Sequence, residues 1–69
     1  MAYSYKIYPE YNLCYVTAIG IVTGREIFNG TKEIISDPFW KWGINQVNDY
    51  RKISRLLIEK EDIIEILEL

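Results

Sequence analysis

The sequence predicts an α/β protein with the order β-β-α-β-α: an N-terminal antiparallel hairpin, and helices packed on a small mixed sheet. Three observations carry this. Two strand-like runs are separated by a four-residue turn. A capping signal then opens a stretch whose apolar residues recur at helical spacing. Finally, a polar-apolar strand leads into an acidic segment that is helical in pattern.

In chain order, Tyr3, Tyr5 and Ile7 alternate with Ser4 and Lys6, which places a first strand over about Ser4 to Tyr8. Pro9-Glu10-Tyr11-Asn12 reads as a turn, because proline fixes φ and asparagine tolerates turn conformations. Leu13 to Val22 is apolar on both parities and rich in β-branched residues, the mark of a strand covered on both faces and central in its sheet. A turn this short makes the two strands an antiparallel hairpin. Thr23-Gly24-Arg25-Glu26 fits a capping box, and Ile27, Phe28, Thr31, Ile34 and Ile35 then fall on one helical face. Gly30 sits inside that helix at a cost of about 1 kcal/mol relative to alanine, so the helix is expected to pass close to the sheet there. The helix ends before Asp37-Pro38, since the residue preceding proline avoids helical angles. After the aromatic loop Phe39-Trp40-Lys41-Trp42-Gly43, Ile44 to Tyr50 is read as a third strand, and Arg51 to Arg55 as a basic stretch beyond its end. From about Ile58 a second helix follows, with Ile63, Ile66 and Leu67 as its apolar stripe and its carboxylates solvated.

Sixty-nine residues allow one domain. A chain of this size buries only about 60% of its unfolded surface and needs help from disulfides, a metal or oligomerisation. One cysteine, Cys14, excludes an intramolecular disulfide, and the absence of histidine disfavours ordinary zinc, copper or haem sites. Oligomerisation remains, so a homo-oligomer is expected. The composition, 49% hydrophobic and 26% charged, is that of a folded chain. No apolar run approaches the roughly 20 residues of a membrane span. The N-terminus lacks the basic start and apolar core of a signal peptide. With a single cysteine, this points to a reducing, cytoplasmic setting. A net charge of -2 gives no global attraction to nucleic acid or membrane, and neither is expected as a partner.

No catalytic residue, metal ligand or cofactor site stands out, and the chain is not read as an enzyme. Nucleophilic catalysis needs a base beside the nucleophile, and without histidine the usual base is missing. Cys14, mid-strand among apolar neighbours, reads as a small buried hydrophobe. The four glycines are scattered and form no phosphate-cradling loop. Two groups remain as interaction or ligand candidates. Asp49, Tyr50 and Arg51 stand at the expected C-terminal end of the third strand, where α/β folds often bind ligands. There Arg51 could clamp a carboxylate or phosphate with Asp49 orienting it, or the two could simply pin the strand end as an ion pair. Trp40 and Trp42 flank Lys41, and serve either as exposed binding anchors or as lids over one end of a small core.

Several phrases, Tyr8-Pro9-Glu10-Tyr11-Asn12-Leu13, Gly20-Ile21-Val22-Thr23-Gly24-Arg25-Glu26, Ser36-Asp37-Pro38-Phe39 and Asn48-Asp49-Tyr50-Arg51, resemble the small bacterial STAS-like proteins related to anti-anti-sigma factors, the SpoIIAA-like group. The resemblance spans nearly the whole chain and rests on turn and cap residues. It implies a STAS-like domain over residues 1–69 that corresponds to the first half of the family's length. STAS switches carry a phosphorylatable serine just before the second helix. Leu57-Ile58-Glu59-Lys60-Glu61-Asp62 holds no hydroxyl there, so that regulation does not carry over. The resulting expectation is a protein-interaction module that self-associates and docks on a regulatory partner. The alternative is a small-ligand or lipid binder that uses the aromatic loop and Arg51.

Overall fold

The computed structural model describes residues Ala2–Leu69. Strand β1 spans Tyr3–Tyr8, β2 Leu13–Thr23 and β3 Asn45–Leu57; helix α1 spans Gly24–Ile35 and α2 Lys60–Leu67. The sheet order is β1-β2-β3, with β1 antiparallel and β2 parallel to its neighbour β3. The β-β-α-β-α order, the N-terminal hairpin and the central position of β2 are as the sequence predicts.

Local chemistry sets each turn. Pro9–Tyr11 forms one 3-10 turn, and Asn12 takes the left-handed conformation at φ 50°, which asparagine tolerates better than most residues. Its side-chain amide donates to the Gly43 carbonyl at 3.3 Å, and its own carbonyl accepts from the Asn45 amide at 3.0 Å. The hairpin turn therefore holds the start of β3. At the head of α1 both halves of the capping box form: the Glu26 amide donates to Thr23 Oγ1, and the Thr23 amide donates to the Glu26 carboxylate, each at 3.2 Å.

The core lies between one face of the sheet and α1. Tyr3 from β1, Cys14, Val16, Ala18 and Val22 from β2, and Ile34 from α1 are buried, with Ile27, Trp40 and Ile53 packed around them. Gly30 meets the sheet as expected: a Cβ placed there would fall against the ring of Tyr3.

The structure corrects three expectations. First, β2 is covered on one face only. Its alternate residues Tyr15, Thr17, Ile19 and Ile21 form an open face on which Ile19 is 49% and Ile21 58% exposed. Second, β3 continues through the basic stretch to Leu57, so Asp49, Tyr50 and Arg51 lie mid-strand rather than at a strand end. Two bulges explain why alternation hides this: opposite Thr17 to Ile19 the strand runs from Asp49 to Lys52, and opposite Gly20 to Ile21 from Ile53 to Arg55. Each inserts a residue and resets the two-residue period. β3 is also an edge, where bulges and cations discourage pairing with other chains. Third, α2 packs beside α1 rather than on the sheet, through Asp62 against Gly24 and an Arg25–Glu65 ion pair at 2.6 Å. None of its residues is buried, and of its expected apolar stripe Leu67 is 81% exposed.

Candidate functional site

The open sheet face gathers most of the polar chemistry. The Tyr15 hydroxyl donates to Asp49 Oδ2 at 2.8 Å across the β2–β3 pair. Arg51 closes on the same carboxylate in bidentate fashion, Nε to Oδ1 at 2.9 Å and Nη2 to Oδ2 at 2.8 Å, and its amide donates to Oδ1 at 3.3 Å. The bulge after Asp49 permits this, because it lets residues two apart bring backbone and side-chain donors to one carboxylate. The Asp49 side chain is 16% exposed and that of Arg51 83%. The Arg51 and Tyr15 donors hold the Asp49 carboxyl well below the usual carboxylate range, and the Asp49 carboxylate in turn pushes the Tyr15 phenol up. An ionised carboxylate with both oxygens engaged is a poor proton acceptor, so this group suits holding Arg51 in place better than general acid–base work. The Asp49 contact takes two of the five guanidinium N–H bonds. With Val47 and Asn48 the triad lines an open depression of about 250 Å³.

Lys52 lies beside Ile19 and Arg55 beside Ile21 on this face, and Lys6 lies opposite Tyr15 with its ammonium 5.1 Å from the Tyr8 ring. Lys6, Arg51, Lys52 and Arg55 against Asp49 alone give the face a net charge of +3 in a chain of net charge -2. Its apolar centre is Ile19, Ile21 and Val47, all exposed.

The other sequence candidates lie elsewhere. Tyr50 is on the opposite face, where the Tyr3 hydroxyl has Tyr50 and Thr31 as neighbours. Trp40 and Trp42 form an edge-on pair, ring centroids 5.1 Å apart, in the loop before β3. Asp49 is four residues into that strand, roughly 13 Å along it. The tryptophans divide between the two readings: Trp40 packs against the core as a lid, and Trp42 is 89% exposed. Asp37, read in the sequence only as a helix terminator, anchors this loop. It accepts from the Phe39 amide at 2.9 Å and from the Tyr5 hydroxyl at 2.8 Å, and its carbonyl accepts from the Trp40 amide at 3.0 Å. Emission from a Trp42→Phe variant, with only Trp40 left, should be blue-shifted and resistant to acrylamide. Emission from Trp40→Phe should be red-shifted and readily quenched. Equal quenching of the two would contradict this placement.

Burial, with smaller contributions from its neighbours, pushes the Tyr3 phenol up to about 12, and the hydrogen bond to Asp37 does the same for Tyr5. A folded-state value above the unfolded value of about 10 stabilises the fold fully below pH 10, and that contribution is lost as pH rises toward 12. We therefore expect an alkaline unfolding transition between pH 10 and 12, with Tyr3 and Tyr5 ionising only as it proceeds. Tyrosinate absorbance followed alongside circular dichroism checks this. Full ionisation of all tyrosines in a folded chain near pH 10.5 would contradict it.

A second depression, about 210 Å³, lies between β1 and α1 and is lined by Tyr3, Ser4, Tyr5, Gly30 and Glu33. Among the described residues no three or more histidine, cysteine, aspartate or glutamate side chains gather as a metal-binding group, and no helix is long and apolar enough to cross a membrane. Comparison of the chain with protein-family models, curated proteins and solved structures gives no match.

Proposed function

We propose that this chain is a non-catalytic protein-interaction module that completes its core by associating with further copies of itself. The observation that carries this is the run of uncovered apolar side chains from the end of β3 into α2: Leu56, Leu57, Ile58, Ile63, Ile64 and Leu67 are all exposed. The accessible surface is 5094 Å², whereas the size scaling of folded monomers gives roughly 4,500 Å² for 8.2 kDa. The difference, about 600 Å², is close to the roughly 800 Å² that each partner buries in a standard interface.

Helix α2 supports the same reading. Eight residues are too few for a stable isolated helix, and Glu65 and Glu68 at its C-terminal end oppose the helix dipole. Such an element gains from packing beyond its contact with α1, which buries none of its residues. A regulatory protein partner agrees with the STAS-like resemblance, and the lone buried thiol of Cys14 suits a reducing compartment such as the cytoplasm. The small-ligand or lipid reading has less support, because both depressions fall below the roughly 300 Å³ of ordinary ligand pockets. Solution mass as a function of concentration tests the proposal: self-association gives a mass above that of one chain.

A further inference from the structure

We infer that copies of this chain associate head to tail, the acidic helix α2 of one docking on the basic open sheet face of the next. This rests on the self-association reading and adds which surfaces meet.

Both surfaces belong to the same chain, both are uncovered, and they are complementary. The open face carries Lys52 and Arg55 around exposed Ile19 and Ile21. Glu59 to Glu68 holds five carboxylates and one cation, Lys60, a net charge of -4. On α2, the contacts of Asp62 with Gly24 and of Glu65 with Arg25 fix the side that faces α1. At 3.6 residues per turn, Ile64 and Leu67 fall on the side turned away from α1, with Lys60 between them and Glu61 and Glu68 along one edge. Exposed apolar centres edged by opposite charges therefore stand on two different parts of one molecule.

The symmetric alternatives are weaker on charge. Two open faces together oppose +3 to +3. Two α2 helices together bring the Glu61 and Glu68 edges of like charge against each other and leave both Ile19–Ile21 surfaces wet. The sequence of β2, apolar on both parities, is that of a strand covered on both faces, and the docked helix supplies the second cover. A contact between unlike surfaces does not close on itself by a two-fold axis, so assembly continues beyond the dimer as concentration rises. Added salt weakens it by screening the exposed charges.

Two variants isolate the surfaces. Lys52→Glu/Arg55→Glu reverses the sheet face and leaves α2 intact; Ile64→Lys/Leu67→Lys disables the helix and leaves the face intact. Glu61→Lys/Glu68→Lys serves as a second, milder helix variant. All these positions are exposed, and circular dichroism checks that each chain is folded. Light scattering should show wild-type mass rising with concentration, each variant alone as a single chain, and an equimolar mixture of the face variant and a helix variant as a two-chain complex that grows no further. A face variant that self-associates as wild type does would overturn the head-to-tail contact while leaving self-association standing. Single-chain variants that fail to combine on mixing would overturn it as well. A wild-type chain monomeric at every concentration would remove both readings.

Discussion

Gly30→Ala should destabilise the fold by about 2–3 kcal/mol, against the usual helix preference for alanine. At an unconstrained helical site the change would gain up to about 1 kcal/mol. Here the added Cβ falls against the Tyr3 ring, a rigid side chain that is 3% exposed. Either the ring leaves its position or α1 lifts from the sheet, and both loosen the only buried cluster among the described residues. A domain of this length is worth about 3–10 kcal/mol in total, so the loss is a large fraction of its stability. Urea unfolding measures it. The sign should reverse in a Tyr3→Leu background, where the ring is gone and Gly30→Ala becomes neutral or stabilising. Destabilisation of equal size in both backgrounds would show that the Tyr3 contact is not its cause.

Ile34→Ala should cost about 2–5 kcal/mol, the range for deleting a large aliphatic side chain from a packed core. Ile34 is the largest fully buried side chain, and it comes from the helix while most of the cluster comes from β2. Its loss opens a cavity at the helix–sheet contact, which the rigid strands cannot close. Ile35 is its control: adjacent in sequence but 39% exposed, it should lose well under half as much on the same change. Similar losses at the two positions would place the core differently from the arrangement described here.

The features legible in the sequence are those set by neighbours in the chain. The capping box depends on Thr23 and Glu26, three residues apart, and forms as read. The Pro9–Asn12 turn fixes the hairpin, and the cost of a mid-helix glycine marked the close approach of α1 to Tyr3. What escaped the sequence depends on register and on long-range packing. The two bulges in β3 break the alternation that would have extended the strand past Tyr50, and so displaced Asp49 and Arg51 from the expected strand end. The Tyr15–Asp49 hydrogen bond joins residues 34 apart and follows from the β2–β3 register, which no local signal encodes. The apolar parity of β2 was visible, but parity says only that both faces suit burial. Whether the second face is covered depends on where α2 goes, and α2 is drawn to α1 by Gly24 and Arg25. The exposed apolar side chains at the end of β3 and along α2 form the surface that self-association is proposed to cover.

We propose that further copies of the chain cover this surface. Light scattering after size exclusion, over a range of concentrations, tests it most directly. Self-association gives a mass above 8.2 kDa that rises with concentration and falls with added salt. A mass of 8.2 kDa at every concentration, with the chain folded, would contradict it.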